Sequence, residues 1–311
     1  MRSVSALAYP VALLAAAAFS AGIPLQHRSA TQAPNTRALG AGQLRSFVRA
    51  TLANRWYLAA LGVDAAGFGL HALALHWGAL AVVQPLLVAN VIFALPANHW
   101  LRHEPISKRE LAWGGAVTAG LAGFVLIATA GTTPAPQPAD RGPAVIAGIL
   151  AILIAGSLVL LSRQARASTA ATLLGIATGV VFAFNATLLK ACTRVLAGHG
   201  MVGLFTSWQL YLLVTVGISG LLLNQLAYHA GPLSASLPAI TVIDPLVAVL
   251  LGVSIYDDQL RHDALAVFGE AVSLIVLACS AIVLIRLEQR TPARYSNSPP
   301  QPSPGNRRLW R

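Results

Sequence analysis

The sequence predicts an all-α integral membrane protein of about nine transmembrane helices, an inverted 4+4 repeat with a linking helix between the halves. An apolar composition, nine long apolar segments and one repeated string of residues carry this prediction. Of the 311 residues, 56% are hydrophobic and only 10% are charged, whereas soluble domains carry about 25% charged residues. A soluble protein of this composition would have too few polar side chains to cover its surface.

Nine segments are long enough for a transmembrane helix, which needs about 20 apolar residues. They are Ser5–Leu25, Trp56–His76, Ala79–Leu101, Leu111–Ala130, Pro143–Leu161, Ala170–Lys190, Leu204–Tyr228, Leu233–Ile255 and Ala264–Leu287. The first segment has some features of a signal peptide, but its apolar run is long for one. We therefore expect it to be the first transmembrane helix.

The stretch Leu70–Pro85 occurs again, in altered form, 153 residues later as Leu223–Pro238. Because this repeat lies in apolar sequence, it predicts two related halves, an arrangement that is common in transporters. Aligned without gaps, the coinciding pairs are Gly67/Gly220, Leu70/Leu223, Leu73/Leu226, Ala74/Ala227, His76/His229, Gly78/Gly231, Leu80/Leu233 and Pro85/Pro238.

The distribution of arginine sets the expected orientation, because cytoplasmic loops of membrane proteins are enriched in Lys and Arg. The net charge is +11. The basic segments predict a cytoplasmic C-terminus and, with nine helices, an N-terminus outside. The second and seventh helices then run in opposite directions, which makes the repeat inverted. Cytoplasmic segments are 26–55, 102–109, the turn with Arg163 and Arg166, and the tail; the acidic loop Tyr256–Asp263 falls outside, and Lys190 and Arg194 fit less well.

These predictions divide the chain into four parts. Residues 1–130 form the first repeat with helices one to four, and residues 131–169 form a linker and helix five. Residues 170–287 form the second repeat, and residues 288–311 form a basic tail that is too polar to fold alone. Within the basic loop 26–55, the stretch Leu39–Leu52 predicts an amphipathic helix on the membrane face.

Enzyme and nucleic-acid functions are not expected. The sequence has no phosphate-binding loop, zinc-protease motif or nucleophile elbow, and no nucleic-acid-binding motif accompanies its basic charge. No cofactor or metal cluster is expected, and Cys192 and Cys279 suit apolar packing. The GxxxG spacing of Gly175 and Gly179 suits either packing within the chain or a homodimer. The lipid bilayer is an expected partner.

Charged residues within membrane helices are candidates for function, because each costs about 2.5–3.5 kcal/mol to insert. Asp244 is the first candidate, since Pro245 follows it and frees backbone carbonyls near a carboxylate. Asp64 and Glu270 are further candidates for binding a substrate or ion, and Lys190 is a possible counter-charge. For each of them a purely structural hydrogen bond or an anchoring role remains the alternative.

A second set of candidates is polar and uncharged. His71 and Asn224 occupy matching positions in the repeat. Pro85 and Pro238 lie near the start of the third and eighth helices, where a proline leaves backbone groups without a helical hydrogen bond. Single residues of this set are explained by hydrogen bonds between helices, but together they favour a binding site between the halves. The set is His71, Gln84, Asn90, Asn185, Asn224 and Gln225.

The two hairpins resemble the drug/metabolite transporter (DMT) superfamily. Its EamA-like halves carry a small-residue helix start, then a proline, then an acid at the helix end. The matching residues are Gly78-Ala79-Leu80, Pro85 and Glu104, and Gly231-Pro232-Leu233, Pro238 and Asp257. Nine helices in place of ten, and the segment FNATLLKA, resemble the NIPA-like magnesium transporter branch, from whose pattern Asp244 departs. The resemblance covers residues 5–287 and implies two inverted bundles around a central cavity.

Three hypotheses follow for a multi-pass protein of the bacterial cytoplasmic membrane. The first is a secondary transporter that moves a small solute by alternating access, with proton coupling through Asp244 as one driving mechanism. The second is a magnesium transporter, because Mg²⁺ keeps several waters and is held by one or two carboxylates. The third is a scaffold or receptor that transports nothing, in which the buried acids are dispensable.

Overall fold

The structure, a computed structural model, describes residues 2–31, 41–93, 107–129, 141–231, 233–256 and 264–290. This part of the chain is α-helical and contains no strand. Its helices are α1 (Arg2–Thr31), α2 (Ala41–Leu52), α3 (Arg55–Trp77), α4 (Leu80–Leu87), α5 (Lys108–Thr129), α6 (Arg141–Ser162), α7 (Ala167–Thr206), α8 (Trp208–Ala230), α9 (Leu233–Tyr256) and α10 (Ala264–Arg290).

Eight of the described helices are long and apolar enough to cross a membrane, which confirms a multi-pass, all-α membrane protein. The peripheral helix α6 exposes large apolar side chains, which are stable in contact with lipid but not with water. They include Ile146, Ile149, Ile152 and Leu153. The predicted span Ala79–Leu101 is described only as far as Phe93. The end of this span and most of the predicted loop 102–109 fall in residues 94–106, which lie outside the described residues, as do residues 131–140, 257–263 and the tail from residue 291.

The predicted third span is interrupted rather than continuous. Helix α4 ends at Leu87, residues 88–89 form a turn, and a short helical turn covers residues 90–93. The break follows Pro85, which has no backbone N–H to donate. The amide of Val88 instead bonds the carbonyl of Pro85 at 3.1 Å, and that of Ala89 bonds Leu86 at 3.1 Å, the tighter spacing of a 3₁₀ turn.

Helix α7 is longer than the predicted segment Ala170–Lys190. It continues to Thr206 with a kink at Gly200, whose φ of 66° is accessible to glycine at little cost. Ser207 then separates α7 from α8. The predicted start of the seventh helix at Leu204 is therefore wrong by four residues. The apolar sequence continues through the end of α7 and into α8, so composition does not mark the boundary between the two helices.

The described helices pack in matched pairs. Helix α1 packs on α3 as α7 packs on α8, and α1 packs on α8 as α7 packs on α3. Helix α4 packs on α9, and α5 packs on α10. If the first half of the chain is exchanged for the second, this set of pairings is unchanged.

Repeated glycines make the same close contact in both halves. A Cβ on Gly67 would lie 2.9 Å from Phe19 Cδ1, and one on its repeat partner Gly220 would lie 2.8 Å from Phe182 Cδ1. The second repeated pair behaves alike. A Cβ on Gly78 would lie 3.0 Å from the Cβ of Ala8 in α1, and one on Gly231 would lie 3.1 Å from the Cβ of Ala171 in α7. The repeat is therefore present in the packing as well as in the sequence.

Substitution of these glycines should destabilise the two halves alike. We expect Gly67→Ala and Gly220→Ala each to cost about 1–3 kcal/mol, because a phenylalanine ring must shift to admit a methyl group. Thermal unfolding of the purified protein in detergent measures the effect. Gly69→Ala, in the same helix as Gly67 and with open space around its Cα, is the control and should not lower the melting temperature. Equal behaviour of Gly67→Ala and Gly69→Ala would contradict the proposed contact.

Candidate functional site: a cavity between the two halves

A cavity of about 530 Å³ lies between the two halves, within the range of about 300–1,000 Å³ that is usual for ligand sites. One wall comes from α1, α3, α4 and the turn after α4, and the other from α7, α8 and α9. The walls are mainly apolar. Large apolar side chains that line the cavity include Phe19, Ile23, Phe68, Phe182, Leu213 and Leu221.

Most positions that line the cavity occur as repeat-equivalent pairs. With the 153-residue offset of the repeat, eight pairs of equivalent positions face it. The cavity therefore lies where the two halves present the same surface to each other. The pairs are Leu61/Val214, Asp64/Gly217, Ala65/Ile218, Phe68/Leu221, His71/Asn224, Gln84/Leu237, Leu87/Ile240 and Val88/Thr241.

The polar side chains break this correspondence. In the first half, the Asp64 carboxylate fills the space above Gly22. In the second half, a Cβ on Gly217 would lie 3.4 Å from the Asn185 amide oxygen. Asp64 and Gly217 are equivalent positions of α3 and α8. Gly22 and Asn185 are equivalent positions of α1 and α7, with the same offset of 163 residues that relates Phe19 to Phe182. Each half thus packs one polar side chain against one glycine. In the first half the polar residue is on the second helix of the pair, α3, and in the second half it is on the first, α7.

Seven of the nine predicted site residues line the cavity. Both acids among the seven, Asp64 and Asp244, come from different halves, and Pro245 lies beside Asp244 on the same wall. The other five are His71, Gln84, Asn90, Asn185 and Asn224. Gln225 and Glu270 are buried but do not line the cavity, and neither do Pro85 and Pro238.

Several of these lining residues carry buried polar atoms without a hydrogen-bond partner in the described part of the chain. An unsatisfied buried polar group costs roughly 1–3 kcal/mol, and in folded proteins such groups usually bind a water, an ion or a ligand. Their concentration around one cavity is the pattern expected of a site that binds a polar group. The atoms are His71 Nε2, Gln84 Oε1, Asn90 Oδ1, Asn185 Oδ1, Asn224 Oδ1 and Asp244 Oδ1.

Gln26 connects the halves and was missed by the sequence reasoning, which assigned it to the polar linker. Helix α1 continues past it to Thr31, and the side chain is buried beside the cavity. Asn224 Nδ2 donates a hydrogen bond to Gln26 Oε1, and Gln26 Nε2 donates one to Asp64 Oδ2. Three helices from both halves, α1, α3 and α8, are therefore joined by one side chain. The only sequence signal was an amide immediately after an apolar run.

Close helix packing positions Asp244. A Cβ on Gly179 of α7 would lie 3.1 Å from the backbone nitrogen of Asp244, and one on Gly175 would lie 2.7 Å from the carbonyl oxygen of Ser236. The GxxxG face of α7 is therefore occupied by α9. Of the two roles the sequence left open for this spacing, the structure shows packing within the chain.

Lys190 lies apart from the cavity. Its Nζ is 4.7 Å from the centroid of the Tyr256 ring, and the Arg194 guanidinium carbon is 4.5 Å from the same centroid. The Tyr256 hydroxyl donates a 2.6 Å hydrogen bond to the Thr187 carbonyl. Two cations over one aromatic ring form a cation–π cluster, so the side chain does not occupy the position of a counter-charge within the cavity.

Glu270 is buried in α10, the helix that packs on α5. Because its side chain does not line the cavity, we expect Glu270→Gln to leave more than half of any transport activity. Uptake into vesicles, normalised to the amount of folded protein, tests this expectation. A tenfold loss with an unchanged melting temperature would instead place Glu270 in the transport path.

No group of three or more His, Cys, Asp or Glu side chains is arranged to hold a metal ion in the described residues. The helices, their matched packing and the cavity define a multi-pass α-helical membrane protein with a mainly apolar chamber, which contains several polar side chains, between two similar halves. The chain is similar to an uncharacterized protein of Corynebacterium glutamicum, with 27% identity over 282 residues, 90% of this chain and 95% of that one. No family model and no solved structure matches the chain.

Proposed function

We propose that the protein is a secondary transporter that moves a small molecule across the cytoplasmic membrane by alternating access, as the resemblance to the DMT superfamily implies. The observation that carries the proposal is the cavity, which combines repeat-equivalent walls with buried polar atoms that have no hydrogen-bond partner among the described residues. A scaffold has no need of such a chamber, because each unsatisfied polar atom weakens the fold.

The matched pairings supply the two gates that alternating access requires. We infer that the repeat is inverted, so that the contact of α1 with α8 and the contact of α3 with α7 lie at opposite ends of the cavity. By the arginine bias, the first contact is cytoplasmic and the second is external. Rocking one half against the other breaks one contact while the equivalent contact forms, which exposes the cavity to each side in turn.

Asp244 is the proposed coupling residue. It lies on the α9 wall of the cavity, and its Oδ1 has no partner in the described chain. A carboxylate there binds a proton or a cationic group in the occluded state and releases it when water enters. Asp64 has the corresponding role in the other half, where Gln26 holds it.

Uptake into proteoliposomes tests the proposal. The purified full chain is reconstituted, and a panel of labelled amines, amino acids, sugars and divalent cations is offered with an imposed proton gradient. We expect at least one organic solute to accumulate above the level in protein-free vesicles. If wild-type protein moves neither a member of this panel nor the membrane-soluble probes of the further inference, the scaffold or receptor hypothesis takes its place.

Magnesium remains the second candidate substrate, because two carboxylates and several amide oxygens line one cavity and Mg²⁺ prefers oxygen ligands. Growth of a magnesium-uptake-deficient strain at low external magnesium separates the two. Rescue by the wild type, and loss of rescue in Asp64→Asn and Asp244→Asn, would favour magnesium over an organic solute.

A further inference from the structure

The cavity is open toward the bilayer at mid-height. Helices α3 and α8 flank it but are barely in contact with each other. Three side chains there both line the cavity and are exposed, with Leu61 at 37%, Val214 at 52% and Ile218 at 55%. Ala65, the repeat partner of Ile218, is also exposed and lines the cavity. These four residues form a lateral opening, the portal.

The portal lies at the depth of the membrane interior. Ala65 is ten residues after the start of α3 at Arg55, and Ile218 is ten residues after the start of α8 at Trp208. At 1.5 Å per residue, each lies about 15 Å along its helix, which is the middle of a hydrocarbon layer about 30 Å thick. A molecule that passes the portal therefore comes from the acyl chains rather than from water.

The two aqueous ends are closed by packing between the halves. At one end, Gln26 of α1 is hydrogen-bonded to Asn224 of α8. At the other, α3 packs on α7, with Leu75, Leu188 and Leu189 buried in a common apolar cluster. In this conformation the lateral portal is the access route that the described residues leave open.

The chemistry of the cavity selects the class of molecule. Its walls are mainly apolar, and the charged side chains among the described lining residues are Asp64 and Asp244, both acidic. An apolar body would pack against the walls, while a positive head would meet carboxylate and amide oxygens. An anion would be repelled and would find no lysine or arginine among these lining residues.

We propose that the transported molecule is a membrane-borne amphipath with a cationic head, which passes through the portal and is moved from one leaflet to the other. This proposal rests on the transport function proposed above and names its substrate class. The head travels through the cavity past Asp64 and Asp244, and the apolar tail remains between α3 and α8 in contact with lipid.

Transbilayer movement of two fluorescent single-chain probes tests the proposal. Both carry the same tail with a nitrobenzoxadiazole label, and the heads are a quaternary ammonium and a sulfonate, neither of which crosses a bilayer readily. The full chain is reconstituted in phosphatidylcholine vesicles, and external dithionite bleaches the probe in the outer leaflet. We expect the protein to speed loss of the ammonium probe at least tenfold and the sulfonate probe less than twofold.

The portal has a matched control in the same helix. Ala65→Trp should slow the ammonium probe at least threefold, whereas Ala66→Trp should not, since Ala66 is exposed but does not line the cavity. Ile218→Trp, at the equivalent position of the second half, provides the same test if Ala65→Trp does not fold. Equal rates for the two heads, or equal rates for Ala65→Trp and Ala66→Trp in folded protein, would overturn the proposal.

The water-soluble panel described above distinguishes this failure from failure of the transport function. If a soluble solute accumulates while neither probe moves, the protein is a transporter and the membrane-borne substrate is wrong. If neither the panel nor the probes move, both proposals fail together.

Discussion

Asp244→Asn should reduce transport about 10- to 100-fold while leaving the fold intact. Hydrogen bonds to charged groups contribute about 1.5–3 kcal/mol, and each 1.4 kcal/mol is a factor of ten. An asparagine keeps the shape of Asp244 and one acceptor oxygen but cannot bind a proton or balance a positive charge. The initial rate of proton-driven uptake into proteoliposomes measures the loss, with thermal unfolding in detergent as the check on folding.

Asp244→Glu is the matched comparison. It restores the carboxylate with one extra methylene, for which the 530 Å³ cavity has room, so part of the activity should return. Counterflow, in which unlabelled solute inside exchanges for labelled solute outside without a gradient, gives a second readout. If Asp244→Asn transports like the wild type in both assays, Asp244 is a structural carboxylate and coupling must be sought elsewhere.

Gln26→Leu should open the end of the cavity that Gln26 closes. The substitution removes both hydrogen bonds that join Asn224 to Asp64 and places there the residue found at the equivalent position of α7, Leu189. The buried amide of Asn224 then loses its partner, at roughly 1–3 kcal/mol, and the half-buried carboxylate of Asp64 loses a donor as well. Hydration of this end recovers part of that cost, so we expect the population to shift toward the state in which it is open.

Accessibility of a single cysteine measures the shift. In a variant with Cys192 and Cys279 replaced by alanine, Ile23→Cys places a thiol in the cavity wall one turn before Gln26. A membrane-impermeant maleimide applied from the cytoplasmic side should react about tenfold faster when Gln26→Leu is added. Ser29→Ala, buried in the same helix, is the control. Unchanged labelling in Gln26→Leu would show that Gln26 does not hold this end closed.

The sequence predicted the helices well because a long apolar segment in a bilayer must satisfy its own backbone hydrogen bonds, and a helix does so. Helices α3, α6 and α9 begin and end within two residues of the predicted segments. It predicted less well where apolar sequence continues through a break. Pro85 and Gly200 are visible in the sequence, but Pro238 and Pro245 lie within the continuous helix α9, so a proline or glycine alone does not predict whether a helix breaks.

The cavity was predictable in its position between the repeats, but not in which polar residues would face it. Helices such as α8 and α10 are apolar all round, so they lack the amphipathic stripe that would show which face is buried. Asn224 lines the cavity while its neighbour Gln225 does not, and sequence alone treats the two alike. Glu270 and Lys190 were candidates because they are charged. The sequence does not show which way each helix is turned, and in the structure neither side chain lines the cavity.

The two halves differ in the length of one connection. Phe182 follows Phe19 by 163 positions, while Gly220 follows Gly67 by 153, although both pairs make the same contact. The ten additional residues lie between α1 and α3, where the first half has the separate helix α2 and the second half has only the end of α7 beyond the kink at Gly200. Equal halves would make the two end states degenerate in energy. An extra surface helix in the first half alone removes that equality, so one resting orientation should predominate before any substrate is bound.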